Sequence, residues 1–90
     1  MEFIRQPNRI YAQDSSGAIV AEVTFPAIKE GEVQIDHTYV DAKLRGRGIA
    51  AILMNEAYES IKEQGFKAVP TCSYAAAWFE NNPGKMDILS

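Results

Sequence analysis

The chain has 90 residues, of which 47% are hydrophobic and 23% are charged, values typical of a folded globular protein. Its formal net charge of -3 excludes a strongly basic surface that would attract nucleic acid without sequence preference. The single cysteine excludes an internal disulfide framework and a zinc site built from several thiolates. No apolar run approaches the roughly 18 residues of a membrane span, and the first residues lack the pattern of a signal peptide. We therefore expect a cytoplasmic protein that binds neither nucleic acid nor a membrane.

Three segments with strand character precede residue 41. The first covers 8–14 and the second covers 18–25, with a turn between them that is rich in serine and glycine. The third covers 33–40, and a polar turn at 29–32 leads into it. Short turns between such segments predict an antiparallel meander. In the third segment, alternate residues should point to the same face of the sheet. The face that we expect to be apolar consists of Val33, Ile35, His37 and Tyr39.

The second half of the chain changes to a helical period. Apolar residues recur at helical spacing from about Gly48 to Gln64, and Gly65 follows at the position where helices commonly end. A fourth strand is predicted over 66–72. Its Pro70 cannot donate a ladder hydrogen bond, so strand pairing should stop or splay there.

A second helix completes the predicted order of elements. Ser73 is a suitable N-cap for this helix, and Pro83 ends it. The order is therefore βββαβα in a single domain over residues 1–90. The predicted fold class is α+β, an antiparallel β-meander followed by α-β-α.

The loop between the third strand and the first helix carries the chemical information. Backbone N–H groups at a helix start point outward, and the helix dipole favours an anion there. Glycine lets the backbone approach a ligand closely, and arginine matches the geometry of phosphate oxygens. Two glycines and three cations fall within this short loop of an acidic protein: Lys43, Arg45, Gly46, Arg47 and Gly48. The loop therefore predicts a pyrophosphate site.

Two other interpretations compete for this loop. It could be a solvated surface loop with ordinary charges. It could also be a dinucleotide-binding turn, because Gly46-x-Gly48-x-x-Ala51 matches the loose glycine fingerprint. Against the second interpretation, the chain is too short for a doubly wound sheet. It also has no acidic residue about 20 positions further on to bind a ribose.

The same loop resembles the acetyl-CoA-dependent N-acetyltransferase (GNAT) superfamily. Its signature is Gln/Arg-x-x-Gly-x-Gly/Ala, and Arg45-Gly-Arg-Gly48-Ile-Ala50 satisfies each position. The chain is similar to a small, minimal single-domain subgroup of that superfamily, which has a cysteine at the active site. The resemblance is carried by further short motifs at 37–40, 69–74, 78–79, 82–83 and 87–89.

The resemblance implies a truncated GNAT-like fold that binds acetyl-CoA or CoA. It implies transfer of an acetyl group to an amine of a small molecule or peptide, although the elements that usually complete the acceptor pocket are expected to be missing. The implied CoA site comprises Thr38, Tyr39, Val40, Lys43, Arg45, Gly46, Arg47, Gly48, Ile49 and Ala50.

Two other functions stay open at this point. The chain could be a non-catalytic CoA- or acyl-CoA-binding module or sensor. A redox-sensing thiol is a third alternative, which leaves the cationic glycine loop unexplained. Exposed edges in so small a sheet make the protein either a monomer or a weak homodimer.

Cys72 is the first candidate catalytic residue. It lies between the fourth strand and the second helix, and a helix N-terminus stabilises a thiolate. The alternative is that it only fills space in the core, as free cysteines often do. The resemblance places a cysteine at this active-site position. There it could accept the acetyl group as a nucleophile, or it could donate a proton to the departing CoA thiolate.

His37 and Tyr74 are the other two candidates. His37 could serve as the general base that takes the proton of the amine, or it could be a structural residue on an apolar face. Tyr74 could donate a hydrogen bond to the thiolate or to the tetrahedral oxyanion, or it could be a packing residue.

Overall fold

The computed structural model describes residues 1–90, which form seven strands, two α-helices and two short 3-10 helices. The 3-10 helices cover Ala42–Leu44 and Pro83–Ile88. The α-helices are α1 (Ile49–Glu63) and α2 (Ser73–Glu80). The strands are β1 (Ile4–Gln6), β2 (Arg9–Gln13), β3 (Ile19–Thr24), β4 (Ala27–Lys29), β5 (Glu32–Ile35), β6 (His37–Val40) and β7 (Lys67–Pro70).

The strands form two sheets that meet along one stretch of chain. The first sheet is antiparallel with strand order β1-β2-β3-β6, and the second has the order β4-β5-β7. In the second sheet β5 pairs antiparallel with β4 and parallel with β7. Because β5 and β6 are consecutive, the segment 32–40 takes part in both sheets. The α+β class with a meander before α-β-α is confirmed, although the short strands β1 and β4 were not predicted.

The predicted third strand is in fact two strands, and the change occurs at Asp36 and His37. Val33 and Ile35 are buried, as alternation requires, but Asp36 and His37 both face solvent. The hydroxyl of Thr24 donates to Asp36 Oδ1 at 2.6 Å and holds this outward turn. The alternation therefore slips by one residue, and the prediction that His37 shares a face with Val33 and Ile35 was wrong.

Helix α1 covers one face of the four-stranded sheet and leaves the other face open. Side chains of β2 and β3 that face the helix, such as Ile10, Ala21 and Val23, are fully buried. They join the helix residues Leu53 and Ile61 in one cluster of 17 buried residues. Neither helix is both long enough and apolar enough to span a bilayer.

The C-terminal part of the chain packs against α1 and β7. Trp78 and Phe79 are buried, as expected of core anchors, and their rings meet edge to face at 5.0 Å. The 3-10 helix after α2 was not predicted. It is tied to α1 by Tyr58, whose hydroxyl donates to Asp87 Oδ1 at 2.7 Å, and the backbone at Leu89 forms a parallel bridge with β7.

Candidate active site

The loop from β6 into α1 is anchored at its first residue. The backbone N–H of Asp41 donates to the carbonyl of Val20 at 2.8 Å, which ties the loop to β3. The carboxylate of Asp41 caps the following 3-10 helix by accepting from the Lys43 N–H at 2.9 Å. Gly46 and Gly48 then adopt the left-handed conformation, with φ of 82° and 72°. Residues with a Cβ rarely adopt it, so the turn into α1 depends on these two glycines.

The start of α1 presents a run of unpaired donors. No backbone N–H from Gly46 to Ala51 donates to a backbone acceptor in the chain, and the first helical bond runs from Ile52 N to Gly48 O. A Cβ added at Gly46 or Gly48 would meet no atom within 4 Å. The glycines are therefore not required by packing, and the space in front of the donors is open. Such a run at a helix N-terminus favours the binding of an anion.

The three cations of this loop are not neutralised by ion pairs. Lys43, Arg45 and Arg47 take part in none of the ion pairs of the molecule. Arg45 is held at the mouth of the site, because its Nε donates to the carbonyl of Val40 at 3.3 Å. The loop therefore has positive charge to offer a ligand.

A cleft leads from the loop along β6 toward α2. It consists of two adjoining cavities of about 260 and 160 Å³, which share residues from β6, the loop, α1 and α2: Val40, Arg45, Ala50 and Tyr74. The larger cavity extends to Thr38 and Tyr39, and the smaller one extends to Gly46, Gly48 and Ile49. Of the expected CoA-site residues, Lys43 and Arg47 line neither cavity. Lys43 faces a separate cavity of about 330 Å³ beside the β2–β3 hairpin.

The edge of β6 along this cleft has free backbone groups. Strand β6 pairs with β3 alone, and Asp41 N bonds to Val20 O. In an antiparallel pair the hydrogen-bonding residues alternate, so Tyr39 points its backbone groups toward β3. Thr38 and Val40 accordingly point theirs toward the cleft. The Val40 N–H is available to a ligand there, whereas its carbonyl is already occupied by Arg45.

Cys72 lies behind the cleft residue Thr38, near the end of the cleft that is away from the loop. It is half-buried, and its Sγ lies 3.7 Å from the hydroxyl oxygen of Thr38 on β6. Its backbone N–H donates to Ile35 O at 3.0 Å, the same carbonyl that receives the Thr71 N–H. Cys72 is itself the N-cap of α2, a role predicted for Ser73, and its side chain makes no capping hydrogen bond. The thiol is therefore placed beside a helix start and beside the cleft residue Thr38.

Tyr74 forms the wall of both cavities opposite β6. Burial raises the pKa of its hydroxyl, and no hydrogen bond contributes to that shift. The group therefore stays protonated at neutral pH and can donate a hydrogen bond into the cleft. The structure thus brings Cys72, Thr38 and Tyr74 together.

His37 is separate from these residues. It belongs to the open face of the sheet, opposite to Thr38, and its side chain is 52% exposed. Its Nε2 lies 3.5 Å from Oε1 of Glu22, whose other oxygen accepts a hydrogen bond from Arg9. Sequence reasoning missed Glu22 and Arg9. The signal for Glu22 was its carboxylate between the apolar residues Ala21 and Val23 of β3, a position that requires a partner.

The structure is an α+β domain with unpaired backbone donors at a helix start and a half-buried thiol behind the neighbouring cleft. The family model described as GCN5-related N-acetyl-transferase matches residues 9–88. The chain belongs to this family, whose members use acetyl-CoA as the acetyl donor. The unpaired donors and the open space at the two glycines fit the diphosphate of that molecule.

Solved structures show the same fold. A GCN5-like protein of Staphylococcus aureus, solved by NMR, superposes with a TM-score of 0.80 at 28% identity. The alignment covers 99% of this chain and 87% of that one. The N-acetyltransferase YhbS of Escherichia coli, solved in complex with CoA, gives a TM-score of 0.58 at 28% identity over 64% of this chain and 35% of YhbS. The truncated GNAT-like fold is therefore confirmed.

A curated relative is similar over part of its length. Protein NATD1 of Xenopus tropicalis is 33% identical over 63 residues, which are 70% of this chain and 58% of NATD1. The chain thus matches little more than half of that protein.

Proposed function

We propose that this chain is an N-acetyltransferase that transfers the acetyl group of acetyl-CoA to an amine. The observation that carries the proposal is the run of unpaired N–H groups from Gly46 to Ala51 at one end of a cleft. At the other end, the cleft residue Thr38 contacts the Cys72 thiol, which lies behind it. A diphosphate bound at the loop and a thioester bound near Cys72 belong to one long molecule. Family membership and the CoA complex of YhbS support the same donor.

The residues that hold the donor follow from the cleft. The backbone from Gly46 to Ala51 binds the diphosphate, and Arg45 supplies positive charge from the wall of the cleft. Lys43 and Arg47 add positive charge from outside the two cavities. The backbone groups of Thr38 and Val40 that face the cleft bind the amide groups of the pantetheine arm. When bound, acetyl-CoA supplies the activated acetyl group.

Cys72, Tyr74 and His37 are assigned to the chemistry. In a covalent route the Cys72 sulfur attacks the acetyl carbon, the bond to the CoA sulfur breaks, and the thiol proton leaves with CoA. The amine then attacks the acetyl-cysteine, its nitrogen loses a proton to His37, and the Cys72 thiol is regenerated. In a direct route the amine attacks the thioester, and Cys72 gives its proton to the departing CoA sulfur. In both routes Tyr74 and the Val40 N–H donate hydrogen bonds to the oxygen that becomes negative.

Radiolabelled acetyl-CoA tests this proposal. The protein is incubated with the label, without an acceptor and then with polyamines, a lysine-containing peptide or small alkylamines. An N-acetylated product that depends on the protein supports the proposal, and an acid-stable label on Cys72 before the amine is added identifies the covalent route. Absence of a product with every class of amine would overturn it.

A CoA-binding module is the second candidate, and one observation favours it. No helix covers the face of the four-stranded sheet that carries His37 and Tyr39, so this chain by itself encloses no acceptor pocket. A module would bind CoA and acetyl-CoA with similar affinity and would leave the thioester intact. The same labelling experiment separates the two candidates, because only the enzyme releases free CoA.

A further inference from the structure

Glu22 makes two contacts at once on the open face of the four-stranded sheet. Its Oε2 accepts a hydrogen bond from Nε of Arg9, and its Oε1 lies 3.5 Å from Nε2 of His37. The three residues belong to the adjacent strands β2, β3 and β6. The Glu22 side chain is only 19% exposed, so most of its surface is covered by these neighbours.

Arg9 restricts the carboxylate to this position. Its guanidinium lies over the ring of Tyr11, with 4.1 Å from Cζ to the ring centroid, so it is fixed from a second side. A charge-assisted hydrogen bond from a fixed donor holds Oε2 and leaves Oε1 facing the imidazole. The open face therefore contains an ordered row in which each group sets the position of the next.

We infer that Glu22 is a positioning residue for His37: it holds the imidazole by Nε2, so that Nδ1 presents its lone pair to the acceptor amine. The inference rests on the proposed function, in which His37 takes the amine proton. A neutral imidazole has one N–H, and a carboxylate beside Nε2 places that hydrogen there. As the amine nitrogen bonds to the acetyl carbon and the sulfur leaves, the proton passes from nitrogen to Nδ1 and then to water.

The place of His37 in the fold agrees with this role. It is the first residue of β6, directly before the cleft residues Thr38 and Tyr39. It lies where the two sheets separate and on the face that no helix covers. An amine that arrives from solvent on that face reaches β6 at His37, on the opposite side of the strand from α1.

NMR tests the contact without requiring any enzymatic activity. His37 is the only histidine, so its ring signals are unambiguous. The two carbon-bound ring protons flank Nε2, and both should show nuclear Overhauser effects to the Glu22 side chain. A ring flipped to place Nδ1 toward Glu22 would show the effect from one of them only. That pattern, or no effect at all, would overturn the inference.

A double-mutant cycle tests the role in transfer. Glu22→Ala should slow acetylation of an alkylamine about tenfold or more, short of the roughly 10²-fold or greater loss expected for His37→Ala. In the His37→Ala variant, adding Glu22→Ala should not reduce the acetylation rate further, because Glu22 acts through His37. An arylamine nitrogen becomes far more acidic than an alkylamine nitrogen as it attacks, so it gives its proton readily to water and should show less effect of either change. Glu22→Gln keeps the side-chain volume and replaces Glu22→Ala in this cycle if the alanine variant unfolds.

Glu56→Ala is the matched control. It removes a partly exposed carboxylate that pairs with Arg5 on the other face of the sheet, and it should leave transfer unchanged. An equal loss from Glu22→Ala with and without His37 would show a merely structural role. A loss confined to Glu22 variants, with His37→Ala fully active, would make Glu22 the base itself, contrary to the inference. If the ring contact is seen but wild type acetylates no amine, the proposed function fails and the role in transfer fails with it.

Discussion

The Cys72 sulfur lies 3.7 Å from the hydroxyl oxygen of Thr38, which connects the start of α2 to β6 across the gap between the sheets. Thr38 lines the cleft, whereas Cys72 lies behind it and is half-buried. The Thr38 hydroxyl is the side-chain hydrogen-bond partner of this thiol. This relationship makes the thiol testable separately from the phosphate-binding loop.

Cys72→Ala should leave CoA binding nearly unchanged and reduce acetyl transfer by at least about 10²-fold, the loss typical of a missing acid–base group. The diphosphate is bound by the loop at the other end of the cleft, so affinity does not depend on the thiol. Calorimetry and steady-state rates on the same samples measure the two quantities. Unchanged turnover would show that Cys72 is a packing residue. Thr38→Val, which keeps the shape and removes the hydroxyl, should lower the rate of iodoacetamide reaction at Cys72 if the hydroxyl activates the thiol.

Gly48→Ala should abolish most CoA binding, whereas Gly17→Ala should not affect it. Both glycines have positive φ and open space around them, so each alanine should cost a similar amount of stability, about 1–2 kcal/mol. Only at Gly48 does the new methyl group enter the space in front of the unpaired donors. For wild type, CoA at about 100 times its dissociation constant should add about 2.7 kcal/mol of stability, and NAD should add much less. Thermal melts with and without CoA measure both effects, and equal CoA shifts for the two variants would place the diphosphate elsewhere.

Arg45→Ala and Arg47→Ala should each weaken CoA binding roughly two- to fivefold, the range for exposed charge interactions. Added salt should narrow the difference from wild type, because such interactions are screened within about 8 Å at physiological ionic strength. Lys29→Ala is the control, since it removes a cation from β4 outside the cleft. The CoA affinities of wild type and the three variants, measured at two salt concentrations, test this expectation. A loss that does not depend on salt would mean that the arginines shape the loop rather than attract phosphate.

Tyr74→Phe should preserve CoA affinity and reduce transfer by about 10²-fold, the effect of removing one donor to a developing oxyanion. Burial raises the pKa of the Tyr74 hydroxyl, so the donor persists across the neutral pH range. The wild-type advantage over Tyr74→Phe should therefore be constant between about pH 6 and 9. Rates of both proteins across that range test this expectation. Equal rates would limit Tyr74 to forming the wall of the cleft.

The contact between Asp87 and Lys62 should make stability depend on pH at both extremes. The hydrogen bond from Lys62, and then the one from Tyr58, lowers the pKa of Asp87. The carboxylate therefore stabilises the fold fully above its unfolded-state pKa of about 3.9. This stabilisation is lost as the pH falls through the lower folded-state pKa. The hydrogen bond with Asp87, and then the one with Tyr58, raises the pKa of Lys62. The ammonium group therefore stabilises the fold fully below its unfolded-state pKa of about 10.4. This stabilisation is lost as the pH rises through the higher folded-state pKa. Asp87→Asn should lower the melting temperature at pH 7. The difference from wild type should shrink toward pH 2 and toward pH 12, and a constant difference would contradict this account.

The sequence predicted the two α-helices and the glycine turn before α1 well because their signals are local. The period of α1 and the glycine pair at 46 and 48 are set by neighbours in the chain. The division of the third strand was not predictable in this way. Asp36 turns outward because the Thr24 hydroxyl holds its carboxylate and because β5 and β6 pair with different sheets. Those interactions join residues that are distant in sequence.

The candidate site was predicted unevenly for the same reason. The CoA-site residues between 38 and 50 were expected from the resemblance of one continuous segment to the GNAT superfamily, and most of them line the cleft. The row formed by Arg9, Glu22 and His37 depends on the register of three strands, which no local pattern specifies. The short strands β1 and β4 and the C-terminal 3-10 helix lack a local signal as well, because each forms only against a partner.

The segment 32–40, which serves both sheets, also has a mechanical consequence. Its outward turn at Asp36 is where the two sheets separate, and the cleft opens beside that separation. A molecule that contacts β6 and α2 together bridges the two halves of the domain and favours the arrangement in which both contacts form. By thermodynamic reciprocity, a second molecule that favours the same arrangement raises the affinity for the first. A protein bound across the two sheets would therefore alter CoA affinity without touching the cleft.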